Sequence, residues 1–189
     1  MGKAMPLFAT YRHMFQTGYV TRDLDRAMAT VQREMGAGDF YVAQHTVPVW
    51  ADGELAEITM GVAIASSGKR QLEIIQPISG AIGIYTDGID FTAGDLIFHH
   101  VGFGVTGPHA NWEALEAEVA VQGNSFKVLS LPVPGPDPMA RYGYVDTRSW
   151  CGHYTEFLWW SEALFDSPTY PGFETGEQGF ALPQAISPR

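Results

Sequence analysis

Apolar and polar residues alternate from Phe15 to Thr21, which predicts a strand with Gln16, Gly18 and Val20 on one face. The period then lengthens. Leu24, Ala27, Met28, Val31 and Met35 recur at helical spacing behind Asp23 as N-cap, and Gly36 and Gly38 stop the helix. Phe40–Val49 and Glu57–Ala65 read as two strands joined by a turn at Ala51-Asp52-Gly53, and Gln71–Gln76 reads as a fourth. The first half is therefore β-α-β-β-β. The second half repeats the order: a strand at His99–Val105, then a helix capped by Asn111 with Trp112, Leu115 and Val119 on one stripe, ended by Gly123. Strands at Lys127–Leu131, Arg141–Asp146 and His153–Trp160 complete it. The Pro-rich Pro132–Pro138 is a loop, because proline cannot serve a central strand. Ser79–Asp95 links the halves and shows no clear period.

The repeat extends to the residues themselves. Phe15-Gln16-Thr17-Gly18 stands beside His99-His100-Val101-Gly102, and Gln71-Leu72-Glu73-Ile74-Ile75 beside Tyr154-Thr155-Glu156-Phe157-Leu158. Each copy carries two potential metal ligands at nearly equal separation: Gln16 to Glu73 spans 73 − 16 = 57, and His100 to Glu156 spans 156 − 100 = 56. A duplicated fold with one ligand pair per half can place four ligands around one ion.

Composition narrows the function classes. At 189 residues, 46% hydrophobic and 13% aromatic, the chain suits one compact domain or two small halves sharing a core. Its formal charge of −10, from 11 basic and 21 acidic side chains, argues against a nucleic-acid partner. No apolar run approaches the ~20 residues of a membrane helix, and the N-terminal residues lack the apolar stretch of a signal peptide. Cys151 is the single cysteine, so no intrachain disulfide can form. A soluble cytoplasmic protein acting on a small molecule is expected.

One imidazole, one amide oxygen and two carboxylates make an oxygen-rich donor set that suits Zn, Ni, Co, Mn or Mg, and iron less well. A carboxylate among apolar neighbours, as in Leu72-Glu73-Ile74, needs a partner when buried. Strict alternation places Gly18 beside Gln16, and Gly102 and Gly104 beside His100, leaving a cavity above the ion. Tyr154, Leu158 and Trp160 share the face of Glu156 and suggest an aromatic, apolar wall for a fairly bulky substrate carrying a carbonyl or vicinal oxygens. The same alternation sends His99 to the opposite face as a structural residue. Glu57, on the third strand, reads either as a second acid/base or as a solvated carboxylate. Cys151, in a loop before the last strand, reads as a small buried residue ahead of a nucleophile.

Two β-α-β-β-β units with ligands on the first and fourth strand of each resemble the vicinal oxygen chelate superfamily. Its members include glyoxalase I, methylmalonyl-CoA epimerase, extradiol dioxygenases and bleomycin-binding resistance proteins. The resemblance covers about residues 13–162. It implies an α+β fold in which two tandem βαβββ modules, about 13–78 and 97–162, form a curved, cup-shaped mixed β-sheet with flanking helices; the several Pro and Gly after Ser161 read separately as a surface tail at 163–189. It further implies that Gln16, Glu73, His100 and Glu156 converge on one divalent metal, with Glu156 as base, Glu73 as its opposing partner, and a homodimer as the assembly. His100 is favoured over His99 because it directly precedes Val101-Gly102.

The activity this implies is a metal-dependent isomerase, epimerase or lyase that transfers a proton next to a carbonyl. Val20 and Pro77 stand where the glyoxalase I pattern carries glutathione-contacting Arg and Asn, which weakens a thiol-adduct substrate. The alternatives are an extradiol ring-cleaving dioxygenase and a non-catalytic small-molecule-binding protein. The first wants two histidines where this chain offers Gln16 and His100, and the second commonly lacks the ligand quartet.

Overall fold

A computed structural model describes residues 14–37, 39–67, 70–105, 108–131 and 140–161. Gly38, the Pro-rich stretch 132–138 and the segment 163–189 lie outside the described residues. The elements in chain order are β1 (Met14–Val20), α1 (Leu24–Met35), β2 (Tyr41–Ala51), β3 (Glu54–Ser67), β4 (Arg70–Gly80) and α2 (Gly83–Thr86). The second set is β5 (Ile97–Val105), α3 (Ala110–Val121), β6 (Phe126–Ser130), β7 (Ala140–Val145), α4 (Arg148–Cys151) and β8 (Tyr154–Trp160). The eight strands form one curved mixed sheet in the order β1-β4-β3-β2-β6-β7-β8-β5, closed into a barrel by the pairing of β5 with β1. Within each module the first and fourth strands are parallel neighbours, β1 with β4 and β5 with β8, and the remaining pairs are antiparallel. The fold is α+β, two βαβββ modules with flanking helices.

Local chemistry sets the element ends. Asp23 caps α1, its side chain accepting a hydrogen bond from the Arg26 amide at 3.0 Å, and Gly36 closes it in the left-handed conformation at φ 68°. Asp52 and Gly53, at φ 47° and 85°, make the tight turn between β2 and β3. The expected cap at Asn111 is not used. The helix begins two residues earlier than that cap implies, at Ala110 behind His109, whose side chain makes no capping bond, and the Asn111 amide instead donates to Pro108 at 2.8 Å. The linker, which carries no clear period, continues β4 to Gly80 and then forms the single turn of α2.

Helices cover the outside of the barrel. Ala27 and Val31 of α1 pack on Ala63 and Ile74. Trp112, Leu115 and Val119 of α3 pack on Val101, Phe103, Val105, Val145, Phe157 and Trp159. Met35, the last residue of the α1 stripe, is exposed. Strand alternation then turns the neighbours of these residues inward, so Gln16, Gly18, Glu73, His100, Gly102 and Glu156 face the interior. The rest of the interior is apolar, built from Val20, Val49, Ile58, Met60, Val62 and Ile75. Ile84 and Tyr85 of α2 enter the same cluster, so the inter-module linker plugs the barrel. Among the described residues no helix is long and apolar enough to cross a membrane.

Trp112 is fully buried on α3 while Val121, on the same helix, is 72% exposed. Trp112→Ala is expected to cost about 3–5 kcal/mol of unfolding free energy, and Val121→Ala to change it by less than about 0.5 kcal/mol. Denaturant titration of the two variants checks the contrast.

Candidate metal centre

The register of four adjacent strands builds the site. Across the antiparallel β1–β5 pair, Gln16 stands beside Gly102 and Gly18 beside His100. The parallel neighbours set Glu73 beside Gly18 and Glu156 beside Gly102. One row across the sheet therefore reads Glu73, Gly18, His100, Tyr154, and the next reads Gln71, Gln16, Gly102, Glu156, Tyr144. Adjacent strands lie ~4.8 Å apart, so Glu73 and His100 are two strands apart with only a glycine between them. The His100 ring fills that space: a Cβ on Gly18 would lie 1.8 Å from His100 Cε1. In the other row a Cβ on Gly102 would lie 2.7 Å from Gln16 Oε1. Each first-strand polar side chain thus crosses above the glycine of the other module.

The result is a buried convergence of donor atoms. His100 Nε2 is 3.1 Å from Glu156 Oε2 and 3.3 Å from Glu73 Oε2. One ligand atom from each of the three residues falls within 4.8 Å of the others, a grouping that could hold a metal ion. Gln16, His100 and Glu156 are at most 3% exposed, and Glu73 is 9% exposed. Gln16 Oε1, Glu73 Oε2, His100 Nε2 and Glu156 Oε2 are all buried without a hydrogen-bond partner. Buried polar atoms are normally satisfied, yet Glu73 Oε2, His100 Nε2 and Glu156 Oε2 have only one another, and Gln16 Oε1 in the adjoining row has no hydrogen-bond partner.

His99 does not follow strict alternation. Gly18 pairs with His100 and Tyr19 with Phe98, so His99 is the extra residue of a β-bulge and turns inward beside His100. Its Nδ1 lies 2.9 Å from His100 Nδ1 and its Nε2 lies 2.9 Å from the Ile84 carbonyl oxygen. The bulge belongs to the repeat: Met14 pairs with Phe103 and Gln16 with Gly102, leaving Phe15 as the extra residue before Gln16.

Burial and neighbouring charge set the ionisation. Burial alone would lower the His100 pKa, but the Glu156 and Glu73 carboxylates on its Nε2 push it up to about 9. Burial, with His100 adding to it, pushes His99 down to about 3. Burial also lifts the Glu156 carboxyl above the ordinary range against the pull of His100, and Tyr144 donates a hydrogen bond to it. The hydroxyls of Tyr85, Tyr142 and Tyr144 are held in the neutral form, first by burial and then by negative charge around them.

The remaining expected residues divide. Gly18 and Gly102 do not open a cavity, because His100 and Gln16 occupy the space their side chains would take. Tyr154 is buried in the barrel with its ring 4.9 Å from that of His99. Trp160 is buried against Phe15 at 5.2 Å, and Leu158 is half-buried. Glu57 is exposed, alternating away from the inward Ile58. Cys151 ends α4 rather than lying in a loop, and its thiol donates to the Thr147 carbonyl at 3.2 Å. Sequence reasoning misses Gln71, Tyr85, Tyr142 and Tyr144. Gln71 shares the period of Glu73 and so carries a readable signal; Tyr144 is placed opposite Glu156 only by the pairing of β7 with β8, and Tyr85 carries no signal.

The profile of the Glyoxalase/Bleomycin resistance protein/Dioxygenase superfamily matches residues 15–128, more than half of the chain. The chain belongs to this superfamily, the vicinal oxygen chelate group. Comparison with curated proteins gives no match. Among solved structures, the chain is similar to methylmalonyl-CoA epimerase from Mycobacterium tuberculosis at 13% identity, covering 82% of this chain and 92% of that one with a TM-score of 0.49. A variant Streptomyces coelicolor methylmalonyl-CoA epimerase in complex with 2-nitronate-propionyl-CoA is 15% identical over 79% and 95% of the two chains, with a TM-score of 0.48. A hypothetical protein from Bacillus halodurans C-125 is 16% identical over 79% and 94%, with a TM-score of 0.46. Likeness at this level transfers neither substrate nor activity, and membership rests on the profile.

The glycine crossings and the buried ion pairs each predict a measurable effect. Gly18→Ala drives a methyl group into the His100 ring and is expected to destabilise the protein by about 1–3 kcal/mol and disperse the site. Gly102→Ala meets the end of a flexible Gln16 side chain and should cost less, a ranking that denaturant unfolding reads directly. The second effect concerns pH in chelator-treated protein. The His100 pKa of about 9 lies above its ordinary 6.5, so its ion pairs stabilise the fold fully below pH 6.5 and are lost as the pH rises to about 9. The raised Glu156 carboxyl acts in the same direction. Unfolding midpoints should fall across that window, and His100→Gln should flatten the fall.

Proposed function

We propose that this protein is a metal-dependent isomerase, epimerase or lyase that moves a proton at the carbon next to a carbonyl. The observation carrying this reading is the buried cluster of Glu73 Oε2, His100 Nε2 and Glu156 Oε2, with Gln16 Oε1 unpartnered in the adjoining row. They fit a divalent cation on two grounds. Nitrogen and oxygen donors with no thiolate suit Zn, Ni, Co, Mn or Mg. Two buried carboxylates facing a single imidazole also carry excess negative charge, which is costly to bury unless compensated. These four residues would hold the ion, which when bound polarises a carbonyl oxygen and offsets the charge developing there.

The protein's own groups manage the proton. Glu156 is the base in this reading: it is buried, its carboxyl is raised toward the range useful for proton transfer, and the Tyr144 hydroxyl orients it. Glu73, on the far side of His100, is the opposing carboxylate that can deliver a proton to the other face. The neutral hydroxyls of Tyr85 and Tyr142 lie in the field of both carboxylates and can donate hydrogen bonds to oxygens of a substrate.

Metal analysis of the purified protein combined with deuterium uptake from solvent tests this. The wild type should hold a divalent metal and exchange the proton next to the carbonyl in candidate substrates, and Glu156→Gln should slow that exchange by about 10²-fold or more. A wild type that holds no metal and exchanges nothing would remove the reading. Iron together with oxygen consumption on catechols would replace it with a ring-cleaving dioxygenase.

A further inference from the structure

The partners of His99 dictate where protons sit on both histidines. The Ile84 carbonyl oxygen can only accept, so His99 Nε2, 2.9 Å away, carries a hydrogen and donates. His99 is surrounded by the rings of Tyr85, Tyr144 and Tyr154 and has no carboxylate partner among the described residues, so it is neutral and its Nδ1 is a lone pair. That lone pair lies 2.9 Å from His100 Nδ1, which must therefore donate. His100 is left to present Nε2, and nothing else, to the oxygens of Glu73 and Glu156.

We infer that His99 is a positioning residue for the metal centre: it accepts the Nδ1–H of His100, so that Nε2 is the nitrogen left to give up its proton to the carboxylates and ligate, and it draws its own orientation from the Ile84 carbonyl. The inference rests on the reading that Gln16, Glu73, His100 and Glu156 hold a cation. The repeat supplies an internal comparison. The same bulge position in the first module carries Phe15, which packs against Trp160. The ligand after Phe15 is an amide, whose oxygen needs no tautomer set. The ligand after His99 is an imidazole, which does. Because Ile84 belongs to the linker that plugs the barrel, the hydrogen-bond chain also ties the centre to that plug.

The test uses nitrogen-15 NMR of the metal-free wild type and cobalt(II) titration of wild type, His99→Phe and His99→Gln. The spectrum should show His99 protonated on Nε2 and unprotonated on Nδ1. His99→Phe removes the acceptor and should weaken cobalt binding by about 10–100-fold. His99→Gln keeps an acceptor and a donor and should recover part of the loss. A His99 protonated on Nδ1, or folded Phe and Gln variants weakened alike, would overturn the inference. Cobalt bound as tightly by His99→Phe as by wild type would overturn it while leaving the metal reading standing, and a wild type that binds no cobalt would overturn both.

Discussion

Everything in the interior depends on one steric constraint, the crossing of two polar side chains over two glycines where β1 and β5 pair. Gln16 lies over Gly102 and His100 over Gly18, so each module supplies both a polar side chain and the empty position that the other module's side chain needs. The parallel strands on either side then bring Glu73 and Glu156 to the same two glycines. A spacing of two residues between polar residue and glycine, repeated in both modules and read in antiparallel register, is sufficient to bring polar side chains from four strands to one part of the interior. No loop is involved, so the geometry is as rigid as the barrel itself.

That gathering makes the interior divided in character. One part is an ordinary apolar core of Val20, Val49, Ile58 and Ile75. The adjoining part holds two carboxylates, two histidines and four tyrosines, almost all out of contact with water. Such a region destabilises a fold unless its groups satisfy one another or a ligand. Tyr144, His99 and the Ile84 carbonyl satisfy one side of it. Glu73 Oε2, His100 Nε2 and Glu156 Oε2 have only one another, and Gln16 Oε1, Gln71 Nε2 and the Tyr85 and Tyr142 hydroxyls have no hydrogen-bond partner. The linker contributes directly, since Tyr85 and Ile84 come from the segment between the modules rather than from either repeat.

Much of the architecture is legible in the amino-acid order alone. The two polar pairs and the strand–helix–strand order can be read because duplication preserves spacing, and spacing survives when most side chains do not. The role of the glycines escapes such a reading, because alternation says which face a residue occupies but not which neighbour leans across it. His99 falls on the wrong face by simple alternation, since a period of two assumes a uniform ladder and a bulge adds a residue without leaving a mark in the hydrophobic pattern. The plug at Ile84 and Tyr85 is invisible for a related reason: a single helical turn has no period to detect. Tyr144 lies directly across the ladder from Glu156, yet only the pairing of β7 with β8 reveals it, because the repeat flags ligand positions and not their partners on the next strand.

The proposed metal centre joins Gln16, Glu73, His100 and Glu156. Anomalous diffraction from crystals loaded with cobalt(II) or manganese(II) tests it most directly. A single strong anomalous peak is expected inside the barrel, within bonding distance of Gln16 Oε1, His100 Nε2 and both carboxylates. An interior without a peak, or an ion seated on other side chains while these four remain apart, would contradict it.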